Sequence, residues 1–234
     1  MVSAIMVAAG KGTRMGPGVD KLFIEVAGGP LVAHTWQRLD SSPSIGEIIL
    51  VVREGMQSTF QDLASQFHFK KRFRLVVGGR ERQDSVWNGL QEVSRKTEIV
   101  LIQDAARPCT DEGLIAGTIE SAREIGAAVA AQRMTDTIKE SDGGTLIERT
   151  LDRAKLWAVQ TPQTFKLDVI QRALTAVRQG GLVVTDDTAA CELIGQPVRL
   201  VESRTPNPKA TSPSDVAFIE LLLKSRGVES LATL

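Results

Sequence analysis

The chain has 234 residues, with 28 basic and 28 acidic side chains and no formal net charge. That balance excludes the basic surface of a typical nucleic-acid binder and the polybasic face of a membrane-surface protein. Apolar residues at 42% and charged residues at 24% suit a folded globular chain, and with no Tyr and few other aromatics the core must be aliphatic.

Short apolar runs alternate with amphipathic stretches. Met1–Val7 lacks the positive region and cleavage site of a signal peptide and leads into a first strand, Ala4–Ala8. Further strands are expected at Glu47–Val52, Arg74–Val77, Glu98–Gln103, Ala127–Ala131 and Val198–Val201. Most are unbroken runs of Val, Ile, Leu and Ala, the pattern of parallel strands buried on both faces. Helices are expected after Glu81, where Val86, Leu90 and Val93 recur at helical spacing, and after Asp111, where Leu114, Ile115, Ile119 and Ala122 do so. Near the end, Ser212 is placed to cap a helix starting at Pro213. Asp215 completes a capping box, and Val216, Ile219 and Leu223 form one apolar stripe. The alternation predicts an α/β fold: a doubly wound, mostly parallel, Rossmann-like sheet in one domain over residues 1–234. No apolar run reaches the length of a membrane span, so a cytoplasmic protein is expected. Cys109, Cys191, His34 and His68 show neither disulfide nor metal-ligand spacing and read as structural residues.

One segment breaks the alternation. Two polar extended runs, Thr135–Glu140 and Thr145–Thr150, flank Ser141-Asp142-Gly143-Gly144, a hairpin signal. A hairpin so polar has no core of its own. It is either a surface excursion, the plainer reading, or an arm that reaches another subunit.

The stretch Ala8-Ala9-Gly10-Lys11-Gly12-Thr13-Arg14-Met15, followed by Lys21, directly follows the first strand. Ligands of doubly wound sheets bind beyond the carboxyl ends of strands. Small residues let backbone N–H groups approach phosphates, and Arg14 and Lys21 add positive charge. A dinucleotide fingerprint fails because Met15 stands at the third glycine, and a P-loop fails because no Gly-Lys-Ser/Thr follows. Two later stretches have the same character. Gly78-Gly79 precedes the helix opened by Glu81, so Gly79 and Ser85 can form a pocket for a pyrimidine, or simply a tight turn. Asp104 ends a very apolar strand and is poised over the ligand crevice, near a metal or substrate hydroxyls; its plainer role is to satisfy a turn.

Taken together, the loop 8–15 with Lys21, Gly78–Val86, Asp104-Ala105-Ala106-Arg107-Pro108, Asp136-Thr137, Asp152-Arg153, Thr161-Pro162-Gln163, Thr185-Asp186-Asp187 and Asn207-Pro208-Lys209 occur in the order and spacing of one family. Over essentially its whole length the chain resembles the 2-C-methyl-D-erythritol 4-phosphate cytidylyltransferases. The resemblance implies that Ala8, Ala9, Gly10, Gly12, Gly79 and Ser85 bind CTP, with Gly79 and Ser85 at the cytosine. It implies that Asp104, Ala105, Arg107, Thr161 and Thr185 line the methylerythritol phosphate side, and that Arg14, Lys21 and Lys209 are catalytic cations. The plainer readings are a helix cap for Thr185 and a surface lysine for Lys209. It further implies that the hairpin arm, residues 134–153, crosses to a second subunit, where Thr137 and Arg153 bind the partner's substrate phosphate in a homodimer. Three positions depart from the family pattern: Asp20 for a common Pro, Gln103 for a common His, and Pro208 for a β-branched residue.

The implied reaction needs no Ser, Cys or His nucleophile, because a phosphate monoester is already an anion. It needs positioning, positive charge and Mg²⁺. The metal is expected mainly on the CTP phosphates, with Asp104 nearby. A ribitol 5-phosphate cytidylyltransferase and a non-enzymatic CTP-binding protein of the same fold are the alternatives. The Asp104–Pro108 motif favours methylerythritol phosphate over ribitol phosphate.

Overall fold

The computed structural model describes residues 1–10, 12, 15 and 18–227. In chain order its elements are β1 (Val2–Ala8), β2 (Glu25–Val26), β3 (Gly29–Pro30), α1 (Leu31–Ser41), β4 (Glu47–Val52), α2 (Gln57–Gln66), β5 (Phe73–Val77), α3 (Arg82–Gln91), β6 (Ile99–Asp104) and α4 (Glu112–Ile125). They continue with β7 (Ala127–Arg133), β8 (Lys139–Ser141), β9 (Ile147–Thr150), β10 (Trp157–Lys166), α5 (Leu167–Gln179), α6 (Asp187–Leu193), β11 (Arg199–Glu202) and α7 (Pro213–Ser225).

Seven strands form one sheet in the order β11-β7-β10-β6-β1-β4-β5. All pairings are parallel except those of β10, which runs against both β6 and β7. The expected mostly parallel, doubly wound sheet is therefore present. Alternation along β1 shows why its run Ala4–Ala8 is continuously apolar. Ala4, Met6 and Ala8 enter a core shared with α1, α2 and α7, while Ile5 and Val7 enter the opposite core with α3, α5 and α6. Both faces are covered, so a polar side chain enters only with a partner, as buried Ser3 does with Glu47 and Thr97. Cys109 and Cys191 sit buried in these two cores as free thiols. His34 is buried too, its Nε2 2.7 Å from the Val26 carbonyl oxygen.

Strand β10 was not among the sequence expectations, and its composition explains that. Its central Pro162 cannot donate to a ladder. The pairing with β7 breaks between Val159 and Gln163, so Pro162 falls in the irregularity. Such breaks re-aim side chains, and this one carries Thr161. Two expected strands are also displaced by a residue: β6 ends on Asp104 itself, and β11 starts at Arg199.

Local signals explain the helix starts. Glu81 and Asp84 form a capping box ahead of α3. Ser212 and Asp215 form another ahead of α7, with Pro213 as its first residue. Gly126, left-handed at φ 101°, ends α4 and leads into β7. The hairpin pairs β8 with β9, and residues 141–150 are all exposed.

Candidate active site

Most of the sequence motifs converge at the carboxyl ends of β1, β5 and β6, in a cleft of about 190 Å³. Ala8, Ala9 and Gly10 line it from the end of β1, Gly79 and Ser85 from the start of α3, and Lys21 from the 3₁₀ turn Lys21–Phe23. The Asp20 carboxylate caps that turn by accepting from Leu22 N–H at 3.2 Å. Arg53, just beyond β4, is paired with the Asp20 carboxylate and donates to the Gly10 carbonyl at 3.3 Å. The lysine stem passes over Gly12, whose φ is +62°; a Cβ there would lie 3.1 Å from Lys21 Cγ and Cδ. Lys21 Nζ donates to the Ala210 carbonyl at 3.0 Å, which joins the glycine loop to the loop carrying Lys209. Arg14 lies outside the described residues.

Ser85 Oγ accepts from Gly79 N–H at 3.1 Å and donates to the Glu81 carbonyl at 3.2 Å. The hydroxyl thus fixes the backbone turn that borders the cleft.

A second cleft, of about 240 Å³, adjoins the first and includes Arg107, Thr161 and Thr185. Arg82, Asp104 and Lys209 line both clefts and form the wall they share. At that wall Asp104 Oδ2 is 2.6 Å from Lys209 Nζ, Asp104 Oδ1 is 3.4 Å from Arg82 Nε, and Arg107 Nε lies 4.0 Å away. Burial alone would raise the Asp104 carboxyl, but Arg82, Lys209 and Arg107 outweigh it and hold it at about 2. Arg82 also donates to Asp187 Oδ2 at 2.7 Å. Burial raises the Asp187 carboxyl, and the Arg82 charge opposes that rise. Three cations face two carboxylates here, and Lys21 across the first cleft adds a further positive charge. Such a site favours a polyanion.

Backbone anchors hold this wall in place. Asp104 N–H donates to Thr161 Oγ1 at 3.1 Å. Ala105 is buried, its carbonyl accepting from Thr35 Oγ1 at 2.8 Å. Arg107 Nη1 donates to the Asn207 carbonyl at 2.7 Å, and Asn207 Nδ2 donates to the Thr161 carbonyl at 2.9 Å. Lys209 therefore lies between two pinned residues, Asn207 and Ala210; the Ala210 N–H donates to the Ala106 carbonyl at 2.9 Å. Pro208 fits within this anchored stretch. Gln103 is fully buried, with its Nε2 2.9 Å from Thr110 Oγ1.

The structure brings together Ala8, Ala9, Gly10, Gly12, Lys21, Gly79, Ser85, Asp104, Ala105, Arg107, Thr161, Thr185 and Lys209. It leaves Thr137 and Arg153 apart, both exposed at the base of the hairpin, where Arg153 Nη1 donates to the Thr135 carbonyl at 2.6 Å. Thr185 is not the cap of α6; Asp186 is, accepting from Ala189 N–H at 2.9 Å. That leaves the Thr185 side chain exposed at the second cleft. Sequence reasoning gave Arg82, Asp187, Gln163 and Arg53 no roles of their own. Arg82 did carry a signal: a cation in the first turn of a helix opposes the helix dipole, so it calls for nearby carboxylates.

The sequence profile of the 2-C-methyl-D-erythritol 4-phosphate cytidylyltransferase family matches residues 2–225. A protein of that name from Geobacillus kaustophilus is 42% identical over 226 residues, covering 97% of this chain and 98% of its own. One from Dehalococcoides mccartyi is 41% identical, covering 95% and 96%. The crystal structure of 4-diphosphocytidyl-2C-methyl-D-erythritol synthase from Anaerococcus prevotii is similar with a TM-score of 0.84 at 29% identity, covering 95% of this chain and 96% of that one.

Proposed function

The chain belongs to the 2-C-methyl-D-erythritol 4-phosphate cytidylyltransferase family, and on that premise we propose how its site divides the reaction. The enzyme transfers the cytidylyl group of CTP to 2-C-methyl-D-erythritol 4-phosphate. The products are 4-diphosphocytidyl-2-C-methyl-D-erythritol and pyrophosphate, in non-mevalonate isoprenoid precursor biosynthesis.

In our reading CTP lies in the first cleft. Gly79 and Ser85 border the cytosine, and Ala8, Ala9, Gly10 and Gly12 offer backbone to the phosphates. The polyol phosphate lies in the second cleft, against Arg107, Thr161 and Thr185, with Asp104 and Ala105 at the boundary. The observation that carries this division is the wall of Arg82, Asp104 and Lys209 shared by the two clefts. In this reading the attacking phosphate meets the α-phosphorus at that wall.

A monoester phosphate oxygen attacks the α-phosphorus of CTP, and the bond to the pyrophosphate oxygen breaks. Lys21 and Arg14 stabilise charge on the phosphates, and Lys209 steadies the attacking group. Mg²⁺, when bound, neutralises phosphate oxygens. Among the described residues no group of three His, Cys, Asp or Glu could hold a metal, and both Asp104 oxygens face cations. These features fit an ion carried mainly by the CTP phosphates, with Asp104 nearby.

The proposal extends to one catalytic domain over residues 1–234 whose arm, residues 134–153, reaches a second copy and offers it Thr137 and Arg153. It also places the enzyme in the cytoplasm. No helix among the described residues is long and apolar enough to cross a membrane.

Pyrophosphate release with purified protein, CTP and Mg²⁺ tests the reading, comparing methylerythritol 4-phosphate with ribitol 5-phosphate. UTP and a chelator serve as controls. Release with methylerythritol phosphate and CTP alone is expected, and the chelator should abolish it. Release only with ribitol phosphate overturns the acceptor assignment, and CTP binding without release overturns the catalytic reading.

A further inference from the structure

Arg82 occupies the first position of α3, where the helix dipole disfavours a cation. Its guanidinium spans two carboxylates from distant parts of the chain. Nη1 is 2.7 Å from Asp187 Oδ2, at the start of α6, and Nε is 3.4 Å from Asp104 Oδ1, at the end of β6. The neighbouring Gln83 fastens the same partner segment again. Its Oε1 accepts from Val184 N–H at 2.9 Å and its Nε2 donates to the Leu182 carbonyl at 2.8 Å. On the other side Gln163 Oε1 accepts from Asp187 N–H at 3.0 Å, and Gln163 Nε2 donates to Asp186 Oδ2 at 2.9 Å. The turn bearing Thr185 is thus clamped between α3 and β10. Gly79 and Ser85, beside the same turn of α3, border the first cleft.

We propose that Arg82 is a positioning residue for cytidylyl transfer: it holds the Asp104 carboxylate where Lys209 meets it and sets the Thr185 turn at a fixed distance from the nucleotide cleft. This rests on the division of the site proposed above. The role requires a fork. A guanidinium donates in two directions at once, whereas a lysine ammonium on a flexible stem is a point charge that reaches one carboxylate.

Steady-state kinetics of Arg82→Lys, read beside amide hydrogen exchange, test the role. The variant keeps the charge. We expect kcat/KM for the polyol phosphate to fall about 100-fold, the scale of a small misplacement at a reacting centre. KM for CTP should change far less than that, and amides of residues 183–188 should exchange faster. Asp187→Asn keeps the side-chain shape and removes only the outer anchor, so it should give a weaker version of the same split. Wild-type kinetics and exchange in Arg82→Lys overturn the role. So does a parallel rise of both KM values with lowered thermal stability, the mark of a purely structural residue. If Arg82→Lys does not fold, Asp187→Asn decides in the same way. A wild-type chain inert with CTP and methylerythritol phosphate overturns the functional reading instead, and the exchange data then decide whether Arg82 holds the turn.

Discussion

Lys209 Nζ stands 2.6 Å from Asp104 Oδ2, so the cation proposed to meet the phosphates is anchored by a carboxylate that burial alone would neutralise. The consequence is a pH-dependent stability. Asp104 is depressed from 3.8 to about 2, so its contribution is complete above the higher value and is lost as pH falls through the lower one. The expected contribution is on the order of 2 kcal/mol. Urea unfolding of wild type and Asp104→Asn should differ most near neutral pH and converge towards about pH 2. Asp215, which accepts from Thr211 and Ser212, also titrates at about 2, so the difference between the two proteins isolates Asp104. A constant gap across the range would refute the charge anchor.

Gly79 is a position where the proposed nucleotide cleft tolerates little change. A Cβ at that position would lie 2.3 Å from Asp84 Cβ and 3.1 Å from the Asp84 carbonyl carbon. Gly79→Ala therefore displaces the first turn of α3 and loosens the Gly79 N–H to Ser85 Oγ bond. KM for CTP should rise about tenfold, the cost of roughly one hydrogen bond. Gly113, in the first turn of α4 and outside both clefts, offers a control, since a Cβ there meets only Asp111 Oδ1 at 3.4 Å, an ordinary contact. Initial rates for the two alanine variants should separate clearly, and equal KM values would sink the pocket assignment.

Much of this arrangement was legible in the sequence, and the gaps have physical causes. Continuous apolar runs gave the strands β1, β4 and β6, because burial on both faces admits polar residues only where they are paired. Strand β10 was hidden by Pro162, whose place in a break of pairing only the neighbouring strands reveal. The motif residues were found, but their mutual support was not. Asp187 and Arg82 are 105 positions apart, and their contact depends on the packing of α3 beside the turn before α6. Thr185 was open to reading as a cap because Thr and Asp compete for that role; Asp186 takes it.

Arg53 illustrates a support that spacing could not disclose. It pairs with Asp20, the residue at a position where proline is common in the family, and it also holds the Gly10 carbonyl. The pair stiffens the entry to the turn that presents Lys21, as a proline ring would by other means. Arg53→Ala should lower kcat about tenfold through misplacement of Lys21, with a stability loss below about 1 kcal/mol, because the pair is partly exposed. Asp20→Ala, which also removes the cap on Leu22 N–H, should cost at least as much, and the double variant should lose less than the two single losses combined. Additive losses in kcat would show that the two side chains act separately.

Thr137 and Arg153 pose the sharpest question, because both are exposed and neither lines the clefts of their own chain. The hairpin beyond them presents Leu146, 78% exposed, and Ile147, 64% exposed, on an arm with no core. The proposed dimer accounts for both features: in it the arm gains a surface to cover its apolar tip, and Arg153 gains a phosphate to bind. Arg153→Ala alone should then raise KM for the polyol phosphate, and Lys21→Ala alone should abolish turnover. Random pairing of the two variants makes half of all dimers mixed, each with one intact site. About a quarter of wild-type activity should return on mixing by co-expression. Sedimentation as a monomer, or mixed preparations no more active than their parents, would confine the site to one chain and leave the arm as a surface excursion.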